Sequence, residues 1–374
     1  MEVITGFAHS IAWFLVVLTT VVFFHELGHY AIARFCGVKV EVFSVGFGRE
    51  VFGLTDKSGT RWKFSIVPLG GYVKFFGDMG YSSDKNQALL GEMDEEDQQS
   101  SFHHKSLSRR AAIVAAGPLA NFVLAIIIFA LINMFVGKDM TPAVVDEVQE
   151  NSPAFVAGMK KNDKILSINN NKVESILEVS TFIMSSTSET IEFVVVRNNQ
   201  EVFLSIKPNL VDTKDALGNS VKKRMIGIKL LPLNNEFKKK PLGPAKAIYY
   251  SFKEVWFVSV TSLNYLGKMI VGSGDSSQLG GPIKIAKITG QVAEYGLIPF
   301  LSIMAYISIS LGLINLFPIP MLDGGHLMFY LIEKILGRPL SQKTQEGFFR
   351  IGLFLLFSLM FFVTFNDLKD LGLF

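Results

Sequence analysis

The chain has 374 residues, of which 49% are hydrophobic and 18% charged, and its mean hydropathy is +0.36. That is too apolar for an ordinary soluble protein and long enough for a membrane part plus at least one soluble domain. A formal net charge of +3 is too small to argue for nucleic acid, and the single cysteine, Cys36, excludes an intrachain disulfide framework and a thiolate metal site.

In chain order, residues 1–36 form the first segment apolar enough to cross a bilayer. It opens Met1-Glu2 without a basic stretch and carries ionisable groups in its second half. It therefore reads as a retained span rather than a cleaved signal. Those groups lie in Phe23-Phe24-His25-Glu26-Leu27-Gly28-His29-Tyr30. On a helix His25 and His29 project from one face, the spacing at which two imidazoles hold one Zn²⁺. Glu26 between them is placed to accept a proton from the attacking water. The plain alternative is three polar side chains satisfied within a core. Ionisable groups at membrane depth are costly, which favours a site.

Residues 37–80 alternate polar and apolar side chains around a turn at Asp56-Lys57-Ser58-Gly59, the pattern of a membrane-associated β-hairpin region. Gly46, Gly48, Gly70 and Gly71 crowd it, as expected where backbone turns tightly or approaches another chain. Residues 81–110 are polar and acidic and read as a cytoplasmic loop. The second span, 111–137, carries Ala115-Ala116-Gly117-Pro118-Leu119-Ala120-Asn121. Its small residues permit close helix packing, and Asn121 in hydrocarbon needs a partner, either another helix or a substrate.

Residues 141–232 turn soluble, with β-rich runs at 143–148, 164–168, 190–197, 201–208 and 225–230 around a helical stretch near 177–185. This is a mixed α/β domain of roughly 90 residues, enough for one core. Residues 237–297 are amphipathic and aromatic-rich, with Lys253 and Glu254 interrupting them, and read as an interfacial region on the membrane lipid. A third span at 298–317, a loop and short helix at 318–340 and a fourth span at 347–366 complete the chain. Arg34 and Lys39, Lys105, Arg109 and Arg110, and Lys334, Arg338 and Lys343 flank the spans so that both termini lie outside the cytoplasm.

A catalytic zinc site takes a third protein ligand. The run Asn315-Leu316-Phe317-Pro318-Ile319-Pro320-Met321-Leu322-Asp323-Gly324-Gly325-His326 closes the third span, at the same cytoplasmic depth as the histidine pair. Asp323 before two glycines would be a helix cap in isolation and a ligand in company with the histidines; His326 is its rival.

Two resemblances cover nearly the whole chain. Residues 152–165 resemble the opening of a bacterial PDZ domain, with Asn162 where that family usually has glycine and Asn170-Asn171 at its turn. The His-Glu-x-x-His motif, Gly-Pro-x-x-Asn, the PDZ-like insert and Asn-x-x-Pro-x-Pro-x-Leu-Asp-Gly-Gly together resemble the site-2 protease family of intramembrane zinc metalloproteases, closest to the bacterial RseP type. Relatives of that type often carry tandem PDZ domains; this chain has room for one.

The resemblance implies a polytopic α-helical membrane protein of about four spans with a membrane-associated β element and an inserted mixed α/β PDZ-like domain. It implies a zinc metalloendopeptidase with His25, His29 and Asp323 as ligands and Glu26 as the catalytic base. Asn315, Asn121, Gly46, Gly48, Gly70 and Gly71 become the candidate substrate contacts. The implied partners are transmembrane substrates, namely anti-sigma factor-like regulators and remnant signal peptides, with a peptide ligand for the PDZ-like domain. The implied location is the bacterial inner membrane, with the PDZ-like domain periplasmic and the active site near the cytoplasmic side. The rival from another class is a non-catalytic membrane adaptor with a structural zinc and a peptide-binding PDZ domain.

Overall fold

The structure is a computed structural model. It describes residues 2–77, 93–186, 188–214, 220–232, 238–272 and 280–370. The chain divides into two compact units, Met1–Ile128 with Leu279–Phe374, and Phe129–Gln278. In chain order the helices are α1 Glu2–Phe35, α2 Glu95–Ser100, α3 Leu107–Phe135, α4 Pro153–Val156, α5 Ile176–Ser185, α6 Pro244–Ile270, α7 Pro282–Glu294, α8 Leu297–Leu316, α9 Asp323–Leu336 and α10 Gln342–Asp370. The strands are β1 Val40–Thr55, β2 Arg61–Phe75, β3 Lys138–Asp139, β4 Val145–Val148, β5 Lys164–Ile168, β6 Asn171–Lys172, β7 Ile191–Arg197, β8 Gln200–Ile206, β9 Asn209–Lys214, β10 Ser220–Met225, β11 Ile228–Leu230 and β12 Lys239–Lys240.

Among the described residues α1, α3, α8 and α10 are long and apolar enough to cross a membrane. The chain is a multi-pass membrane protein. Of the loop expected over 81–110, residues 81–92 lie outside the described residues, 93–94 and 101–106 are turn and loop, and the rest is helical. Glu95–Ser100 is a helical turn whose Asp94 side chain accepts from the Asp97 N–H at 2.8 Å. Leu107 already belongs to α3, so Arg109 and Arg110 sit in its first turn rather than ahead of it. Arginine is a good helix former, and Arg110 has a partner: its Nη2 lies 2.6 Å from Glu333 Oε1 and its guanidinium covers the Tyr330 ring.

In the first unit, β1 and β2 do not pair as a simple hairpin. Val42 pairs with both Arg61 and Lys74, and Val45 with both Phe64 and Gly71, so the first half of β1 lies between the two ends of β2. The second half of β1 runs back along the start of β2, with Leu54 opposite Trp62. Gly46 and Gly48 take φ of 92° and 89° where β1 changes partner, a conformation that costs glycine nothing. Residues 71–75 thereby become an edge of the sheet.

Aromatic packing fastens this sheet to α1. Trp62 stacks on Phe43 at 4.3 Å and meets Tyr30 edge-on at 4.9 Å. Trp62 Nε1 and Tyr30 Oη both donate to Asp56 Oδ2, at 2.9 and 3.4 Å. The far half of the sheet has no such cover among the described residues. Val51, Phe52, Leu54 and Ile66 are 60–70% exposed, a patch that calls for lipid or another chain.

At the other end of this unit, Asp367 of α10 is buried and accepts backbone N–H groups from Gly281, Ile283 and Lys284 at 2.8–3.1 Å. That carboxylate caps the first turn of α7, which has no cap of its own from Gly281. Gly290 of α7 lies against Ser10 of α1, with no room for a side chain.

In the second unit the sheet runs β6-β5-β7-β8, all antiparallel, and β11 pairs with β4. Ile165, Ile168, Ile191, Phe193, Val195 and Ile206 face α5, whose Val179 and Ile183 complete the core. Each such side chain contributes about 1.5–3 kcal/mol by leaving water. Asp163, fully buried, takes two hydrogen bonds from Arg197 at 2.7–2.8 Å. Asn162 and Asn170 have φ of 68° and 64°, left-handed backbone that asparagine tolerates better than other non-glycine residues. The interval expected to be one interfacial stretch holds two helices, α6 and α7, with residues 273–279 outside the description. Ile248, Phe252 and Trp256 form an exposed stripe on α6.

Candidate metal centre

About six turns into α1, His25 and His29 lie one above the other, both buried. Their Nε2 atoms are 3.2 Å apart. Asp323 Oδ2 is 3.1 Å from His25 Nε2 and 3.5 Å from His29 Nε2. Among the described residues these three are the group of imidazole and carboxylate donors that could share one cation.

The donor set fits zinc. Two ring nitrogens and a carboxylate oxygen this close must share either a proton or a cation, because three bare lone pairs would repel. Asp323 Oδ2 is buried and receives no well-aligned hydrogen bond. Bonds of about 2.0–2.1 Å from a tetrahedral Zn²⁺ would set its ligand atoms about 3.3 Å apart, close to the triangle observed.

Local sequence explains how each donor arrives. Asp323 opens α9, and its helix N-cap is Leu322, so the aspartate is not the cap. The chain folds back tightly before it. A side chain on Gly324 would strike the carbonyls of Leu316 and Phe317, and one on Gly325 the carbonyl of Ile319. Met321 takes φ 91° in this turn, an unusual conformation for a bulky residue, of the kind that collects at functional sites. His326 points elsewhere in this helix, its ring 5.8 Å from that of Phe349 and 6.4 Å from that of Phe329.

α3 provides the wall behind the histidines. His29 Nδ1 lies 2.9 Å from the Ile113 carbonyl. The His29 ring rests on Gly117, where an added Cβ would come within 2.2 Å of Nε2. Asn121, fully buried, puts its amide 3.2 Å from His25 Nδ1. Gly28 in turn lets α1 approach α3 at Ala116 and Ala120.

Glu26 meets the sheet edge. Its carboxylate accepts the backbone N–H of Val73. A side chain on Gly71 would collide with the Ser44 carbonyl, Val22 and the Glu26 stem. The bare backbone there lets the edge lie against the glutamate.

The structure thus brings together His25, His29, Asp323, Glu26, Asn121 and Gly71. Gly70 packs on the Phe47 ring, and Gly46 sits against the carbonyls of Ser65 and Val67. Gly48 has open space around it. Asn315 is half-buried in the last turn of α8, with no side-chain hydrogen bond among the described residues. Val73 and Ile113 escaped the sequence reading, and Gly117 entered it only as one of the small residues that permit close helix packing. Two of them act through backbone and the third through an absent side chain, so only the spacing of Gly117 and Asn121, four apart like the histidines, hinted at them.

The sequence model of peptidase family M50 matches residues 13–359. A protein of Agrobacterium fabrum, provisionally named a zinc metalloprotease, is 41% identical over 368 residues, covering 98% of each chain. One from Mesorhizobium japonicum with the same provisional name is 40% identical over 367 residues, 97% of this chain and 99% of its own. Metalloprotease MmpA of Caulobacter vibrioides is 36% identical over 391 residues, 99% of this chain and 98% of its own. A solved PDZ domain of the SdrC-like protein from Listeria monocytogenes aligns with 24% of this chain and 85% of its own at 24% identity. Its TM-score of 0.20 is too low to speak for the fold.

Proposed function

Because the chain belongs to peptidase family M50, we propose that it is an intramembrane zinc endopeptidase that cleaves within transmembrane segments of single-span proteins. The observation that carries this reading is the sheet edge at 71–75 lying against Glu26, beside a donor set in which Asp323 converges on two histidines of an apolar helix. Zinc held by His25, His29 and Asp323 would supply a Lewis acid and make water nucleophilic near neutral pH.

Glu26 accepts the proton of the attacking water and passes it to the leaving amine, held in place by the Val73 N–H. A transmembrane helix hides its carbonyls in its own ladder and must unwind to be cut. The edge at 71–75 offers replacement hydrogen bonds to the extended peptide, as in strand addition. Asn315, at the end of α8, is assigned to hold the substrate backbone. The three protein donors among the described residues would leave a coordination position for water, whereas a structural zinc site of an adaptor closes with four.

Around this centre the reading assigns the chain to a bacterial inner membrane, from the basic flanks of its spans and from its bacterial relatives. The soluble insert is read as a periplasmic PDZ-like domain. A cavity of 290 Å³ beside α5, lined by Val179, Ile183, Met184, Met225 and Ile228, supports a peptide ligand for it. Regulators released by regulated intramembrane proteolysis and leftover signal peptides are the substrate classes proposed.

The test is cleavage of a labelled transmembrane peptide by the purified full chain with zinc. Glu26→Gln should lose at least about 10³-fold in rate while retaining one zinc per chain. Undiminished cleavage by the glutamine variant would remove Glu26 from the chemistry, and no cleavage by the wild type would leave the adaptor standing.

A further inference from the structure

Three residues of α3 at intervals of four, Ile113, Gly117 and Asn121, face the two histidines of α1. The first offers a carbonyl to His29 Nδ1 and the second leaves room for the His29 ring. We infer that the third, Asn121, is a positioning residue: its amide oxygen accepts the Nδ1–H of His25 and so aims the lone pair of His25 Nε2 at the metal. This rests on the metal centre proposed above.

The argument is one of proton placement. Neutral imidazole has a single N–H, and a ring that ligates through Nε2 must carry it on Nδ1. His29 has the Ile113 carbonyl as acceptor, at 2.9 Å. His25 has Asn121, at 3.2 Å. As drawn, the amide nitrogen faces His25 and Oδ1 is buried without a partner. The two ends of an amide have nearly the same shape, and a half-turn exchanges them. Either orientation leaves one end unpaired, so the histidine decides. With nitrogen facing it, Nδ1 would be the acceptor and the proton would sit on Nε2, blocking ligation. With oxygen facing it, Nε2 is free to bind.

The rest of the surroundings fix Asn121 for this task. It is fully buried, its backbone carbonyl takes the Ser308 hydroxyl at 2.8 Å, and Gly312 of α8 lets that helix close against its Cβ. A substrate contact is thereby replaced by a structural partnership with a ligand. Outer partners of this kind typically alter metal affinity 10–100-fold.

The experiment uses the full chain in detergent and reads zinc affinity by chelator competition, with the visible spectrum of the cobalt-loaded protein as a second signal. Asn121→Leu, similar in size but unable to accept, should weaken zinc by about 10–100-fold and shift the cobalt bands. Asn121→Asp, which accepts from Nδ1–H but cannot donate, should hold zinc within about threefold of the wild type. A residue that merely packs would make the charged variant at least as damaging as leucine. Asn121→Ser, too short to reach His25, stands in if the leucine variant does not fold, with the same weakening expected.

Wild-type affinity in the leucine or serine variant overturns the inference, and so does equal weakening by leucine and aspartate. A wild type that takes up no zinc, or a His25→Ala variant that binds as well as the wild type, overturns the metal centre and this inference with it. Unchanged binding in the position-121 variants, with His25→Ala defective, overturns only the orientation by Asn121.

Discussion

The proposed metal centre depends on a residue with no side chain. Gly117 lies under the His29 ring, and a methyl group there would overlap Nε2. We expect Gly117→Ala to push the imidazole out of line and weaken zinc on the order of tenfold or more, since ligand geometry tolerates little displacement. Zinc titration of the purified variant measures it; an alanine variant that binds like the wild type would show that the ring has slack. At this scale the sequence was partly legible. Two histidines four apart declare their own convergence, because helical periodicity alone puts them on one face. Asp323 was readable as a candidate beside a helix-cap reading and a rival at His326. Gly117 and the Ile113 carbonyl were not, because nothing local says which turn of which helix abuts His29.

Among the elements, the sheet shows where periodicity stops informing. Alternation marks residues 37–80 as β, yet the order of the pieces depends on Val42 and Val45 pairing with both ends of β2. That is a long-range choice made by side-chain packing around Phe43, Trp62 and Tyr30. Hydropathy likewise reports what lipid tolerates rather than where a helix begins, so the start of α3 at Leu107 was hidden behind Arg109 and Arg110.

The second unit has a comparable long-range join. Lys138 lies 2.8 Å from Glu178 and 3.3 Å from Glu174, over the ring of Tyr250, whose hydroxyl reaches Glu174 at 3.4 Å. Burial alone would lower the Lys138 pKa, but Glu178 and then Glu174 outweigh it and hold the ammonium above its usual range. A raised lysine pKa means stability that is fully present below the unfolded value near 10.4 and lost as pH rises through the folded value. Lys138→Met should cost about 2 kcal/mol at neutral pH, between an exposed and a buried pair. The difference from wild type should persist to about pH 10 and shrink above it. A thermal-melting series across that range decides; a gap that widens with alkalinity would show the sign to be wrong.

For the molecule as a whole, the proposed chemistry makes the state of the substrate helix the controlling variable. A span containing Gly or Pro should be cut at least about tenfold faster than an all-leucine span of equal length, because each lowers the cost of unwinding. Equal rates in a gel assay would count against strand addition at residues 71–75. If the soluble insert excludes bulky substrates, a chain lacking residues 141–232 should cleave a substrate that still carries its external domain. Selectivity unchanged by the deletion would remove the insert from substrate choice. The broad plan of four apolar spans was legible because lipid and water impose opposite compositions over tens of residues. The association of α7 with α10 was not, since it turns on one carboxylate far away in sequence.

That carboxylate has a mechanical corollary. Three amides at the start of α7 end on Asp367, and Gly290 farther along α7 is wedged against Ser10 of the helix that carries both histidines. Tension applied to the last helix is therefore relayed in two steps to the first. Trimming the chain just ahead of Asp367 would unhitch this linkage, so a shortened protein that retained His25, His29 and Asp323 would still have lost its brace.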